Sequence, residues 1–167
     1  MRAMCGIQAA VALCGDERKV EVQAVEVEES LRNVPLFEGF QPKQLKSLAR
    51  WTTTRSYQPG QIIVSEGQTG LGLYVIRTGK VQISMHSAHG EREIRVMGPG
   101  ESFGEISLLD DRPRSATATA VEWTTAVLLD KSQFLAEMHA HPEMALAMLP
   151  VLVTWLREAD MKISGLS

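Results

Sequence analysis

The apolar positions of this chain change period twice. Up to Trp51 they recur at helical spacing: "VEVEESLRNVPLF" runs from acidic to apolar and stops near Pro35, and "QPKQLKSLARW" puts Leu45, Leu48 and Ala49 three and four apart behind Pro42, a good first helical residue. From Arg55 to Asp130 the pattern becomes short alternating runs. "QIIVSEG", "LYVIRTG", "KVQISMH", "EIRVMGPG" and "TTAVLLD" each have strand character, and Gly60, Gly67, Gly79, Gly90 and Gly98 cut them at the spacing of an all-β sandwich or barrel. In "KVQISMH" strict alternation predicts Val81, Ile83 and Met85 on one face and Gln82 and Ser84 on the other. "SAHGERE" reads as a hairpin turn with Gly90 at its tip.

After Asp130 the helical period returns. "DKSQFLAEM" offers Asp130 or Ser132 as N-cap. "HPEMALAMLPVLVTWLREADMKI" predicts a long helix, apolar nearly all round through Val153 and amphipathic beyond it, with Pro150 expected to kink or break it. Met138, Met144, Met148 and Met161 fit core or partner-facing packing of this stretch.

Composition narrows the class. The 167 residues suit one domain, are 44% hydrophobic and 22% charged, and carry a net charge of −3, which gives no bulk attraction to nucleic acid or an anionic membrane. Cys5 and Cys14 match neither a metal spacing nor a disulfide framework, so a reducing cytoplasm is the expectation. "MRAMCGIQAAVALCGD" faintly resembles an export signal, but Gln8 and Leu13 break that pattern, and residues 1–25 are expected to be an N-terminal extension to a domain spanning 26–167. No run reaches the length of a membrane span.

The chemistry concentrates in "FGEISLLDDRPRSATATA", residues 103–120, which looks too polar for a buried strand. Glycine beside Phe103 allows a sharp turn and close approach to a ligand. "EISLLD" can form a short helical turn whose first N–H groups suit an anion, and Arg114, ten residues after Gly104, can complete a phosphate site. Glu105 cannot read phosphate, since both are negative; it suits the O–H donors of a sugar diol. A phosphorylated sugar, or a nucleotide with a free ribose hydroxyl, fits both. Asp110, Asp111 and Arg112 read as surface turn residues.

The same string closely resembles the phosphate-binding cassette of cyclic nucleotide-binding domains, F-G-E-(L/I)-x-L-(L/I) followed by P-R-(A/S/T)-A-(S/T), found in the catabolite activator protein, regulatory subunits of cAMP-dependent protein kinase and nucleotide-gated channels. "GLGLYVIRTGKVQIS" and "YQPGQIIVSEGQTG" resemble the family's glycine hairpin and early strands, so the likeness covers roughly Val27 to Ile163. It implies a mainly β fold: an eight-stranded, jelly-roll-like β-roll with N-terminal helices and a long C-terminal lid helix. It implies that Glu105 accepts from the ribose 2′-hydroxyl and Arg114 pairs with the exocyclic phosphate oxygens. Backbone N–H groups at Gly104, Ile106, Ser107 and Ser115 would stand near ribose or phosphate. The lid would come from the last helix near Leu156, Arg157, Ala159, Asp160 and Ile163, with Arg157 and Asp160 as its polar candidates.

The resemblance implies a non-catalytic sensor of cAMP, with cGMP open as the alternative. A hydroxyl directly after the arginine, here Ser115, occurs in binders of both nucleotides. The implied partner is another protein or a second copy of the chain. With Ser167 close behind the long helix there is no room here for a helix-turn-helix, so direct DNA binding is not expected. Two other readings belong to different classes: an interaction domain of the same fold without ligand, and a cupin-like metal enzyme. For the latter, His86 and His89 flank a turn and His139 and His141 a helix junction, poor positions for inward-facing metal ligands, so no metal is expected.

Overall fold

The computed structural model describes residues 25–87 and 90–165; residues 1–24, 88–89 and 166–167, and with them nearly all of the N-terminal extension, lie outside the described residues. Helix α1 (residues 25–32) leads into a 3-10 turn at Pro35–Phe37 and then α2 (Pro42–Ala49). Pro42 stands at the first position of α2, and Gln44 Oε1 accepts the Gln41 N–H at 2.8 Å, closing the helix start. The strands follow: β1 (Thr52–Tyr57), β2 (Ile62–Val64), β3 (Gly72–Thr78), β4 (Val81–Ser87), β5 (Gly90–Met97) and β6 (Ser102–Phe103). A short helix, α3 (Ile106–Leu109), precedes β7 (Thr117–Ala120) and β8 (Thr124–Asp130), and the chain closes with α4 (Lys131–Ala140) and α5 (Glu143–Ile163).

The eight strands form two antiparallel four-stranded sheets, ordered β1-β8-β3-β6 and β2-β7-β4-β5, the β-roll expected from the sequence. The first sheet separates two cores. Its period of two sends Leu73, Val75, Val127 and Leu129 outward onto the helices, where they meet Leu31, Phe37, Leu48, Phe134 and Met144. The intervening Tyr74, Ile76, Ala126 and Leu128 point inward and meet Val81, Met97, Phe103, Ala118 and Ala120. Burial on both faces explains why β3 and β8 read as nearly unbroken apolar runs.

Several expectations need correction. β1 begins at Thr52 and is mostly exposed along an edge, so it carries no apolar alternation to mark it. Residues 117–120 are a strand after all: Ala118 and Ala120 are buried, polar only in their alternating threonines. Gly90 pairs with Ser87 and is the first residue of β5. Alternation along β4 is not strict: Val81 and Ser84 are buried, whereas Met85 is exposed, and the β4–β5 register shifts between Ile83 and Ser84. Pro150 does not break α5, which is one helix through it; Thr154 Oγ1 donates to the Pro150 carbonyl at 3.0 Å.

Of the two N-cap candidates, Asp130 is the cap. Its Oδ1 accepts the N–H groups of Ser132 at 2.9 Å and Gln133 at 3.1 Å, which holds its carboxyl below the usual carboxylate range, the Ser132 side-chain hydrogen bond being the largest cause. Lys131, the next residue, reaches the cassette loop: Nζ donates to the Asp110 carbonyl and pairs with Asp111 at 3.0 Å. α4 is tied to α2 through Glu137, which accepts from Ser47 Oγ at 3.0 Å and Trp51 Nε1 at 2.8 Å. Met144 and Met148 enter the helical core, and Met161 faces outward. Among the described residues no helix is long and apolar enough to cross a membrane.

Candidate functional site: an anion-demanding cavity in the β-roll

A cavity of about 310 Å³ opens between the inner ends of the two sheets. Its walls include Gly104, Glu105, Ile106, Ser107, Arg114 and Ser115, so all six cassette residues named from the sequence meet at one place. Strand residues Val64, Ile83, Met97 and Ala118 supply an apolar side, and Arg95 stands at the rim. Alanine at 116 and 118 is what leaves this volume open; larger inward residues on β7 and the turn before it would fill it.

Arg114 is held from behind. Its backbone N–H donates to the Gln68 carbonyl and its carbonyl accepts from the Gly67 N–H, both at 2.8 Å. Its side chain is buried, with Nη2 donating to the Gly72 carbonyl at 2.5 Å and the guanidinium 5.9 Å from the Tyr74 ring centroid, within cation–π range. Tyr74 is itself stacked on Phe103, with ring centroids 5.1 Å apart. Behind it, burial pushes the Tyr57 hydroxyl up to about 12, with the neighbouring Tyr74 adding to the shift.

The electrostatics are unbalanced. Burial pulls Arg114 below the ordinary arginine value, and only the nearby Tyr74 and Glu105 offset this. Among the described residues no carboxylate forms an ion pair with it, and its Nε is buried without a hydrogen-bond partner. Glu105 Oε2 is likewise buried and unpartnered. A fixed, desolvated cation and a desolvated acceptor in one cavity are costly unless something else completes them.

Gly104 is required at the turn between β6 and α3. Its φ is +83°, and a Cβ there would lie 1.8 Å from Arg114 Nη1. The chain then enters α3, whose first turn presents the N–H groups of Ile106 and Ser107, with Ser107 buried and Ile106 exposed. Ser115, directly after the arginine, is exposed on the cavity wall.

The lid candidates sit elsewhere. Arg157 and Asp160 are exposed on α5 and do not line the cavity. Trp155 is the α5 residue that approaches: with Asn33, Glu101, Ser102, Arg95 and Glu105 it bounds a second cavity of about 380 Å³ sharing the latter three residues with the first. Neither Arg95 nor Trp155 was indicated by the sequence, because each reaches the cassette from another element and no local motif marks it. The described histidines are engaged individually, and His89 lies outside the described residues: the His86 backbone N–H donates to Glu66 Oε2 at 2.7 Å, His139 Nδ1 is 2.7 Å from the Leu135 carbonyl, and His141 Nδ1 is 3.5 Å from Glu143. Among the described residues no three His, Cys, Asp or Glu cluster as metal ligands.

The geometry has counterparts in known proteins. The chain is 37% identical over 138 residues to the cyclic AMP receptor protein of Thermus thermophilus, covering 82% of this chain and 64% of that one. It is 41% identical over 101 residues to a cGMP-dependent protein kinase of Eimeria tenella, covering 60% of this chain and 10% of the kinase. The regulatory domain of Toxoplasma gondii PKA, crystallised with cAMP, superimposes with a TM-score of 0.66 at 31% identity, over 70% of this chain and 44% of that one. The chain spans a little under two thirds of the length of the curated receptor-type relatives it matches. The family model for the cyclic nucleotide-binding domain matches residues 54–141, from β1 through the cassette to the end of α4, and by that match over more than half its length the chain belongs to the cyclic nucleotide-binding domain family.

Proposed function

We propose that this chain is a non-catalytic, cytoplasmic sensor of a 3′,5′-cyclic nucleotide, with cAMP the ligand favoured by its resemblance to the receptor-type relatives. The observation that carries the reading is the buried Arg114, which forms no ion pair among the described residues and leaves Nε unpartnered, beside the unpartnered Oε2 of Glu105. A cyclic phosphate supplies the missing anion, and a ribose 2′-hydroxyl supplies the missing donor, so one molecule satisfies both groups. In this reading the N–H groups of Gly104, Ile106, Ser107 and Ser115 surround the sugar and phosphate. The names of the relatives, a cyclic AMP receptor and a PKA domain crystallised with cAMP, support the same class.

Binding draws the cassette inward at Arg114, and α5 closes over the base, with Trp155 the aromatic side chain best placed to meet it. The ligand shifts the open–closed balance only by its differential affinity for the two states. The output surface is the outer face of α5. Leu146, Leu149, Val153, Leu156 and Ile163 are all exposed there and spaced by threes and fours, with Asp160 completing the row. That is the seam of a two-helix coiled coil, and it fits a second copy of this chain.

Titration calorimetry with cAMP, cGMP and cyclic dinucleotides tests the ligand class. Binding of a mononucleotide is expected, and Arg114→Ala is expected to cost about 2–4 kcal/mol, roughly thirty- to thousandfold. Unchanged affinity in Arg114→Ala would refute the site. A ligand-free interaction domain would show no rise in melting midpoint with either nucleotide.

A further inference from the structure

The ladder between β4 and β7 stops early. It pairs Val81 with Ala120, Gln82 with Thr119, Ile83 with Ala118 and Ser84 with Thr117, and its register would next set His86 opposite Ser115. Ser115 is not there: Ser115 and Ala116 lie outside β7 and line the cavity instead. A side chain from a third segment takes the place opposite His86. Glu66, in the loop between β2 and β3, accepts the His86 N–H through Oε2 at 2.7 Å, so this backbone donor is satisfied without a strand beside it. The Glu66 N–H donates to Oγ1 of Thr117, the first residue of β7, at 3.0 Å.

The same loop carries Arg114. The Gly67 N–H donates to the Arg114 carbonyl and the Gln68 carbonyl accepts the Arg114 N–H, both at 2.8 Å, so the residues directly after Glu66 run alongside the cassette. Thr69 continues the pairing as a bridge to Pro113. Gly70 then lies against the guanidinium itself: a Cβ there would come within 2.9 Å of Arg114 Nε and 2.6 Å of Ser107 Cβ. The position of this loop therefore sets the position of both the backbone and the side chain of Arg114. Apart from the single bridge the loop belongs to no ladder, and the Glu66 carboxylate links it to β4.

We infer that Glu66 is the positioning residue of Arg114: its carboxylate stands in for a strand opposite His86, fixes the β2–β3 loop to β4, and through Gly67, Gln68 and Gly70 holds the arginine at the cavity. With the carboxylate in the strand's place, Arg114 and Ser115 are free to leave the sheet and face the cavity. A carboxylate suits the role, since a charged acceptor makes a stronger bond to a backbone N–H than a neutral one. Its charge has little other use: His86 Nδ1 lies 3.8 Å from Glu66 Oε2 and its side chain is 78% exposed. The effect on ligand affinity rests on the proposed nucleotide reading; the effect on Arg114 stands on the loop alone.

The test is amide hydrogen exchange of the ligand-free protein together with calorimetric titration with cAMP, on wild type, Glu66→Ala and Glu66→Gln. Glu66→Ala is expected to speed exchange of the Gly67 and Arg114 amides about tenfold and to weaken cAMP about five- to thirtyfold. The Ala120 amide, bonded to the Gln61 carbonyl at the other end of β7, is expected to keep its wild-type rate. Glu66→Gln still presents an oxygen to the His86 N–H, so it is expected to restore the protection and bring cAMP within about threefold of wild type. Wild-type exchange at Arg114 in Glu66→Ala overturns the inference. Equal loss of protection at Ala120 also overturns it, since that marks general destabilisation, and so does a Glu66→Gln variant as weak as Glu66→Ala. Lost protection at Arg114 in a protein whose wild type binds no cAMP upholds the positioning role and overturns the ligand reading instead.

Discussion

The cassette around Phe103–Ala120 and the outer half of α5 look alike in sequence, since both interleave charges with apolar residues. The structure treats them oppositely. In the cassette Arg114, Ser107 and part of Glu105 are buried, and the position of Arg114 is over-determined by Gly67, Gln68, Gly72 and Tyr74. Along α5 beyond Met148, Val153, Leu156, Met161 and Ile163 are exposed, and nothing in the described chain covers them. The cassette leaves Arg114 Nε and Glu105 Oε2 buried and unpartnered; the helix leaves a row of apolar side chains exposed among the described residues. A ligand-driven switch needs both deficits, one to sense the ligand and one to report it.

The sharpest way to break this contrast is Gly104→Ala. The added Cβ falls 1.8 Å from Arg114 Nη1 at a φ of +83°, so the guanidinium must leave its place. Nucleotide binding is expected to fall by about 2–4 kcal/mol, as if Arg114 were lost, together with a stability loss of about 1–3 kcal/mol. Gly60→Ala is the control. Gly60 has the same sign of φ, +80°, but no atom within 4 Å of a Cβ, so it loses stability and keeps affinity in calorimetry. Equal binding losses in the two variants would show that the cassette responds to global strain and not to the placement of Arg114.

The helical face gives the next effect. Leu156 is 63% exposed in the seam of α5. Leu156→Glu is expected to leave the unfolding free energy of dilute protein within about 0.5 kcal/mol of wild type. In sedimentation velocity it is expected to convert a concentration-dependent dimer to monomer, because a charge at this position cannot be buried against its own copy. A wild-type chain that stays monomeric through the micromolar range would remove the second copy as the covering surface. A large melting loss in the variant would show that this face belongs to the core.

The two regions also differ in how legible they were. The cassette is contiguous, so the residues it brings to the cavity are neighbours in sequence, and its two charges have separate chemical reasons to be there. Its rim is not contiguous: Arg95 and Trp155 arrive from β5 and α5, and only tertiary packing brings them near Glu105. Arg157 and Asp160 were lid candidates only through the family resemblance, which places the lid on the last helix without fixing its register; both are exposed on α5, while Met144 and Met148 set which side of the helix enters the core. For the fold, the five strands with apolar runs were readable. β1 is threonine-rich and exposed, β6 has two residues, and β7 alternates threonine with alanine, whose small side chain gives little hydrophobic signal while leaving room for the cavity. The eight-strand count came from the family resemblance, not from the pattern.

The smallest expected effect lies where the two regions join. β8 ends and α4 begins at Asp130, and the adjacent Lys131 ties α4 to the cassette loop through Asp110 and Asp111. Asp130→Ala removes the acceptor for two helix N–H groups and is expected to cost about 1 kcal/mol in chemical denaturation. The pH dependence follows from the direction of the shift. The Asp130 carboxyl is held below its usual value in the folded chain, so its contribution is present above the unfolded carboxylate value of about 3.9 and is lost as pH falls through the lower folded value. The gap in stability between wild type and Asp130→Ala should therefore be constant near neutrality and narrow in acid. Nucleotide affinity should fall only slightly, since the cap touches the cassette through Lys131 alone. An affinity loss as large as that of Gly104→Ala would mean that the start of α4, and not the cassette itself, sets the position of Arg114.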